Sequence, residues 1–274
     1  MDAAELLRRN DPNAALTQLL EQIRGDPANP KLRVFLFQLC CVTGDWARAR
    51  TQLDVVLGMD EGALLMGSIY GGALACEEER RKVFAGEEAP TIFGQPQPWM
   101  AELYEALRLD CRGEHAAATE VRDRALDAAP ASTGRIDEQD FTWIADADGR
   151  LGPMLDAIIN GRYFWVPVMR IAEISIAAPS DLRDQVWMPA RFILANGGET
   201  AALIPTRYPG SEYHPDAMIR LARRTEWTEI AAGTWHGVGQ RMLATDTGDF
   251  PLMDIRAIAL DPVSTVAAGV AAHG

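Results

Sequence analysis

Two acidic side chains in a turn that contains glycine are the first candidates for a functional site, because their spacing resembles that of metal ligands. Asp146 and Asp148, followed by Gly149, have the spacing that opens a calcium-binding loop. The glutamate that closes such a loop is missing, because Ala157 occupies its position. We therefore interpret the segment as a turn that leads into a helix, and we predict no metal site there.

Other patterns typical of catalytic or cofactor sites are incomplete. Gly237 and Gly239 lack the third glycine of a dinucleotide-binding loop, because Met242 stands in its place. The segment from Gly67 to Gly71 misses the spacing of a nucleophile elbow. No metal-ligand spacing is found among the histidines, which are His115, His214, His236 and His273. The sequence therefore predicts no catalytic residue, no metal and no cofactor, although a site assembled from distant segments escapes such a search.

The charge balance argues against nucleic acid and membrane surfaces as partners. The chain of 274 residues has a formal net charge of −13, with 26 basic and 39 acidic side chains. A field of this sign repels phosphate backbones and anionic lipids. The N-terminus lacks the basic and apolar segments of a secretory signal, and no run of about 18 apolar residues is present. We therefore predict a cytoplasmic protein.

A helical repeat organises the first half of the chain. The amphipathic segments Ala14–Arg24 and Trp46–Leu57 match at an offset of 34 residues, the period of tetratricopeptide repeats (TPR). Lys31–Thr43 is the predicted partner helix, and a weaker third copy begins at Gly113. Because the usual tryptophan, glycine and tyrosine are absent from Lys31–Thr43, we predict a repeat-like stack and not a regular array. The matching positions are Asp11, Ala15, Leu19, Ile23 and Asp26 in the first copy and Asp45, Ala49, Leu53, Leu57 and Asp60 in the second.

Two further helices are predicted between the second and third copies. Gly62–Ala85 has the pattern of one long helix, and Trp99–Cys111 resumes the helical pattern after a proline-rich loop. The four-residue spacing of Glu77 and Arg81 predicts an ion pair on the outer face of the long helix.

The pattern changes from helical to strand-like within residues 146–162, which we interpret as the joint between two domains. From Pro153 to Gly161 the apolar residues have helical spacing and both ends suit a helix, so a short helix is predicted. Tyr163–Val168 then has the composition of a strand, and Pro167 within it favours an edge strand or a bulge.

Strands and turns continue after this joint. Asn196, Gly197 and Gly198 form a strong hairpin signal between Gln185–Ala195 and Glu199–Pro205. Further expected features are a short helix at His214–Arg223, a hairpin that joins Gly237–Thr245 to Leu252–Leu260, and a frayed tail after Pro262.

The predicted fold class is α+β with more than one domain. Residues 1–145 are expected to form an α-α superhelix of TPR-like repeats, because one repeat alone cannot bury its apolar stripe. Residues 146–274 are expected to form a smaller, mostly-β domain with one or two helices.

Three tryptophans in the second half are the candidate partner-binding residues. Trp165, Trp187 and Trp227 offer large rigid surfaces with a polar N–H, which are properties that anchor protein interfaces. The alternative is that they fill the core of the small domain. Arg150 and Arg241 are predicted to brace loops by pairing with acidic side chains, for which the candidates are Asp181, Asp184 and Asp254.

Several segments, taken in order, resemble one protein family. Together they are similar to the ImpE/TagJ (SciE-type) accessory proteins of bacterial type VI secretion systems, and the resemblance spans nearly the whole chain. The segments are GDWARARTQLD at 44–54, RLGPMLDAIINGRYFWVP at 150–167, PSDLRDQVWMPA at 179–190, PTRYPGS at 205–211, LARRTEW at 221–227, GVGQRML at 237–243 and MDIRAI at 253–258.

This resemblance implies a cytoplasmic, non-enzymatic adaptor of the contractile sheath. Family members are associated with the small sheath subunit, whose N-terminal amphipathic helix they bind, and thereby with sheath recycling by a ClpV-type ATPase. A helix of that kind needs an apolar groove with a polar rim.

Two hypotheses from other functional classes stay open at this point. One is a small-molecule-binding or hydrolytic enzyme with a site at the domain junction near Asp146 and Asp148, because clefts between domains often hold ligands. The other is a general tetratricopeptide-type scaffold for unrelated peptides.

Overall fold

Helices form the first half of the chain in the computed structural model, which describes residues 2–262. The tail predicted to be frayed after Pro262 lies outside the described residues. The helices are α1 (Ala3–Arg8), α2 (Pro12–Gly25), α3 (Pro30–Val42), α4 (Trp46–Met59), α5 (Leu64–Phe84), α6 (Pro98–Cys111) and α7 (His115–Ala128).

The starts of these helices follow local capping chemistry. The side chains of Asp11, Asn29 and Asp45 accept hydrogen bonds from the first backbone N–H groups of α2, α3 and α4. Pro12 and Pro30 stand within the first turn, where a missing N–H leaves no bond unmade. The predicted positions of these helices are confirmed.

Two of the matched pairs, the alanines and the leucines four residues after them, are buried in the structure. Ala15 and Leu19 in α2 and Ala49 and Leu53 in α4 are each at most 1% exposed. Small alanines at these positions let neighbouring helices approach closely. Leu126 of the weaker third copy is instead 42% exposed.

Strands and short helical turns form the remaining part that the structure describes, up to residue 262, so the predicted α+β class is confirmed. One further helix, α8 (Ala217–Arg220), falls inside the segment predicted as a short helix. The strands are β1 (Gly134–Ile136), β2 (Gln139–Phe141), β3 (Ile144–Asp146), β4 (Met154–Ile159), β5 (Arg162–Pro167), β6 (Ile171–Ile176), β7 (Trp187–Leu194), β8 (Glu199–Pro205), β9 (Thr225–Ala231), β10 (Thr234–Gly239), β11 (Met242–Thr245), β12 (Gly248–Pro251) and β13 (Ala257–Leu260).

An antiparallel sheet of eight strands is the centre of the β portion, in the order β2-β1-β13-β6-β7-β8-β4-β5. Side chains on one face, such as Trp165 and Trp187, pack in one apolar cluster with the helices. Side chains on the other face, such as Val166, pack with Leu243 and Leu252 from the region of a three-stranded sheet, β12-β11-β3. The eight-stranded sheet is therefore the middle layer of the molecule.

The helix predicted from Pro153 to Gly161 is wrong, because this segment is the strand β4 and its turn into β5. Asn160 and Gly161 have φ of 51° and 71° and connect the two strands, the geometry of a tight hairpin turn. All six residues of β4 are buried. Its apolar spacing therefore reflects burial on both faces of a sheet and not one face of a helix.

Other strand predictions have mixed outcomes. The hairpin around Gly197 is confirmed as β7 and β8, and β5 lies at the sheet edge as predicted. The predicted hairpin between Gly237–Thr245 and Leu252–Leu260 is wrong. Strand β11 pairs with β12, while β13 pairs with β1 and β6. β1 and β2 lie before residue 146, and the division into two domains stays a prediction.

Helix α5 contacts the β4–β5 turn through two glycines. A Cβ atom added to Gly72 would lie 2.9 Å from the Cα atom of Gly161. Since the obstacle is backbone, it cannot move aside as a flexible side chain would. This contact places α5 directly against the edge of the sheet.

Gly72→Ala is therefore expected to lower the free energy of unfolding by about 1–3 kcal/mol, the usual cost of overpacking. Urea denaturation followed by circular dichroism measures this change. The matched control is Gly58→Ala in α4, where the added methyl group meets nothing within 4 Å. In that variant we expect the free energy of unfolding to rise by about 0.5–1 kcal/mol, because alanine has less conformational freedom than glycine in the unfolded chain. A higher free energy of unfolding in both variants would contradict the close contact between Gly72 and Gly161.

Candidate functional site

Helix α5 carries two charged side chains to the sheet. The Arg80 guanidinium donates from Nε to Asp156 Oδ2 at 2.7 Å and from Nη2 to the Arg207 carbonyl at 2.7 Å. One turn earlier, Glu77 accepts a 2.6 Å hydrogen bond from the indole nitrogen of Trp187. These residues join the helical stack to β4 and β7.

Arg241 completes this network from the loop between β10 and β11. Its guanidinium pairs with the carboxylates of Asp146 and Asp156, and all three side chains are fully buried. Burial opposes the ionisation of Asp156, but the neighbouring Arg241 and Arg80 outweigh it and lower the pKa of this carboxyl. Burial, helped by Asp148 and Asp156, outweighs Arg241 at Asp146 and raises its pKa to about 7.

A second buried ion pair, between Arg150 and Asp148, stabilises the turn that contains Asp146 and Asp148. Arg150 donates from Nε to Asp148 Oδ1 at 2.8 Å, and Asp148 Oδ2 accepts the Gly237 N–H at 2.8 Å. The Arg150 guanidinium also lies 5.2 Å from the centre of the Phe84 ring, within the range of a cation–π contact. The turn is therefore held to α5 on one side and to β10 on the other.

Arg150 and Arg241 both form ion pairs, but with partners other than the candidates, and their bracing role stays a prediction. They pair with Asp148 and with Asp146 and Asp156. The candidate Asp181 pairs instead with Arg183, while Asp184 accepts backbone N–H groups and Asp254 lies outside the network.

The sequence search missed Asp156 and Arg80. Asp156 falls in the segment that is predicted as a helix, and no motif in the sequence includes Arg80. A charged residue inside the apolar run Met154–Ile159 is the signal that could have found the network, because a buried charge requires a partner. The predicted Glu77–Arg81 pair is wrong as well: Glu77 is buried beside Arg80, and Arg81 pairs on the surface with Glu78.

The geometry gives no support to metal-dependent chemistry at Asp146 and Asp148. Guanidinium groups hold both carboxylates, so their oxygens are not free to coordinate a cation in this arrangement. Within residues 2–262, no cluster of three or more His, Cys, Asp or Glu side chains has an arrangement that could hold a metal ion. The buried network is therefore best described as a structural joint.

Two of the three candidate anchor tryptophans present no surface to a partner in this structure. Trp165 and Trp187 are 0% exposed. Trp165 donates its indole N–H to Tyr163 Oη at 3.0 Å, as Trp187 does to Glu77. This geometry favours the alternative that they fill the core. Trp227 lies on β9, is partly exposed and packs against Tyr208 at 5.5 Å between ring centres, so its partner-binding role stays a prediction.

A surface cavity of about 520 Å³ lies between the N-terminal half of α5 and strands β4, β7 and β8. We call it the sheet groove. Ile69 and Tyr70 line its helical wall, while Ile158, Pro189 and Leu203 line its floor. Its volume falls within the range of about 300–1,000 Å³ that is typical of binding sites.

Exposed apolar side chains extend the sheet groove along α5. Leu65 is 73% exposed and Ile69 is 41% exposed, and their four-residue spacing places them on one face of the helix. Leu64 beside them is 65% exposed. Large apolar side chains grouped at the edge of a cavity mark an interaction surface more often than isolated ones do. The sequence search did not single out these residues.

Comparison with known proteins agrees with the sequence resemblance. The family model described as ImpE protein matches residues 138–259. The type VI secretion system accessory component TagJ of Pseudomonas aeruginosa is 50% identical over 262 residues, which cover 96% of this chain and 92% of that protein.

A solved structure shows the same fold. The crystal structure of a Vibrio parahaemolyticus protein superposes with a TM-score of 0.84 and covers 94% of this chain and 97% of its own, at 22% identity. Within residues 2–262, no helix is long and apolar enough to cross a membrane. Because half of the aligned positions are identical to TagJ over nearly the whole length of both proteins, the chain belongs to the ImpE/TagJ family.

Proposed function

We propose that this protein is a non-enzymatic accessory adaptor of a bacterial type VI secretion system. In this proposal it binds the N-terminal amphipathic helix of the small contractile-sheath subunit and links it to sheath recycling by a ClpV-type ATPase. Over 262 aligned residues it is 50% identical to a relative that is named an accessory component of this system. The cytoplasmic location and the connection to the ATPase rest on the family resemblance.

The sheet groove is the observation that carries the helix-binding part of the proposal. An amphipathic helix docks by placing its apolar face in an apolar trough. The groove has Ile158, Pro189 and Leu203 on its floor and Ile69 on its helical wall, and the exposed Leu65 lies one turn before Ile69 on the same helix. Ser68 and Asn160 are polar side chains that also line the cavity.

Placing a carboxylate in the groove is expected to weaken this binding. Ile69→Asp should raise the Kd for a labelled peptide of the sheath-subunit helix at least about tenfold, because the new charge would be buried without a partner. Fluorescence anisotropy measures the Kd. The matched control is Leu126→Asp, since Leu126 is also helical and is 42% exposed but lies on α7. We expect its Kd to stay within about twofold of the wild-type value.

Equal binding by the two aspartate variants would contradict the groove as the docking site. A peptide of the same composition with its apolar residues scattered serves as the specificity control. If an unrelated amphipathic helix binds as tightly as the sheath helix, the protein is a general peptide scaffold. If the wild-type protein binds no sheath helix, the adaptor proposal itself fails.

A further inference from the structure

A further cavity, of about 460 Å³, adjoins the sheet groove. Pro189 and Ala190 of β7 line both cavities. The rest of its lining comes from residues 175–177 at the end of β6, from Arg191, and from Arg256 just before β13. We call this cavity the sheet shelf. Because the two cavities share part of their floor, one elongated partner has room to occupy both.

The sheet groove and the sheet shelf follow one line across the strands. Ile158, Leu203 and Pro189 are register partners on β4, β8 and β7. Ala190, next to Pro189, is paired with Ile176 at the end of β6. Adjacent strands lie about 4.8 Å apart, so the line from β4 to β6 is about 14 Å long. A helix rises about 1.5 Å per residue and covers this distance with about ten residues.

The helices leave this part of the sheet open. Trp187, Pro189 and Arg191 alternate along β7 and therefore lie on one face of the sheet. Trp187 is 0% exposed, whereas Pro189 and Arg191 are exposed. The strand register places Ala201 and Ala257 on the same face, and both are exposed. The helical layer therefore ends near Trp187 on this strand, and the sheet face beyond it is accessible to a partner.

The charged side chains that line the sheet shelf are both arginines. Arg191 is paired on the surface with Glu199. Arg256 donates from Nη1 to two backbone carbonyl groups and, within residues 2–262, its guanidinium forms no ion pair. The neighbouring Asp137 carboxylate accepts the backbone N–H groups of residues 256 and 257. Arg256 is therefore an exposed cation that a carboxylate of a partner can reach.

We propose that the partner helix continues from the sheet groove across the sheet shelf and pairs one of its carboxylates with Arg256. This inference rests on the proposed function, because it extends the site of the same helix. Apolar residues of the helix fill the groove against Ile69 and Leu203, and an acidic residue about ten positions away reaches Arg256. In a chain whose net charge is −13, the overall field repels a carboxylate. A local attraction at Arg256 therefore fixes the register of the helix more than it raises the affinity.

The first test compares two neighbouring alanines that follow β6. Ala177 lines the sheet shelf, whereas Ala178 lines neither cavity, and both are exposed. Ala177→Glu places a larger side chain and a negative charge in the shelf. We expect it to raise the Kd for the labelled sheath-helix peptide at least about fivefold, measured by fluorescence anisotropy with the full-length protein. Ala178→Glu changes the net charge equally and should leave the Kd within about twofold of the wild-type value.

The second test exchanges the charges of the proposed pair. Each acidic residue of the peptide is changed in turn to lysine. One of these peptides should bind Arg256→Glu at least about threefold more tightly than it binds the wild type, which reverses the preference of the original peptide. Arg124→Glu is the matched control, because Arg124 is exposed on α7 and lines neither cavity. This variant should show no reversal that is specific to one position of the peptide.

The outcomes separate this inference from the proposed function. If Ile69→Asp weakens binding but Ala177→Glu does not, the helix is confined to the sheet groove, and the inference fails while the adaptor proposal stands. If no lysine-substituted peptide prefers Arg256→Glu, the pairing with Arg256 is wrong. If the wild-type protein binds no sheath helix, both proposals fail. Urea denaturation of Ala177→Glu and Arg256→Glu establishes that any lost binding is not lost folding.

Discussion

Asp156→Ala is expected to lower the free energy of unfolding by about 3–5 kcal/mol, the cost of breaking a buried ion pair from one side. The substitution removes the carboxylate shared by Arg80 and Arg241, whose side chains are 6% and 0% exposed. Both guanidinium groups would then be buried without this partner, and Tyr163 would lose a hydrogen bond of 3.2 Å.

Urea denaturation monitored by circular dichroism measures this loss. The matched control is Glu199→Ala, because Glu199 pairs with Arg191 across β7 and β8 but on the surface, where both side chains are about half exposed. Exposed pairs contribute about 0–1 kcal/mol, so the control should change stability by no more than that. A loss below 1 kcal/mol in Asp156→Ala would show that the buried network does not hold the layers together.

Trp187→Ala is expected to lower the free energy of unfolding by about 3–5 kcal/mol, as large-to-small substitutions of buried aromatic residues do. The Trp187 ring is 0% exposed and lies 5.9 Å from each of the Trp46 and Tyr70 rings, measured between centres. Its loss would leave a cavity between β7 and the helices. It would also leave the buried Glu77 without its indole donor.

Two further variants separate these contributions to the stability of the protein. Trp187→Phe retains much of the packing but removes the N–H group, so we expect an intermediate loss of about 1–3 kcal/mol. Trp143→Ala is the control, because Trp143 is 41% exposed, and should cost less than about 1 kcal/mol. If Trp187→Ala instead left stability unchanged and abolished binding of the sheath helix, Trp187 would be a partner anchor after all.

The helices could be predicted because their signals act within a few residues. Asp11, Asn29 and Asp45 cap α2, α3 and α4 through their own following N–H groups, whatever the rest of the chain does. The match at 34 residues likewise identifies buried positions such as Ala15 and Ala49. Hairpin turns are equally local, and the glycines after Asn196 identified one of them.

The strand β4 could not be separated from a helix by periodicity. Its residues are buried on both faces, so its sequence has no polar alternation that would mark a strand. Asn160 and Gly161 carried the missing hairpin signal, but Gly161 also suits the end of a helix. Burial by the helices on one side and by the smaller sheet on the other produced this ambiguity.

Family membership, the helical half and the absence of a known catalytic motif were accessible from the order of the residues alone, since each depends on local patterns. The buried network and the sheet groove could not be predicted from the sequence in this way. Arg80 lies 76 residues from Asp156, and Arg241 lies 85 residues from it. Nothing local to any of these residues specifies its partner. The free energy lost when each charge leaves water is offset only where packing places an opposite charge beside it. That packing exists only when the helices and the two sheets are assembled.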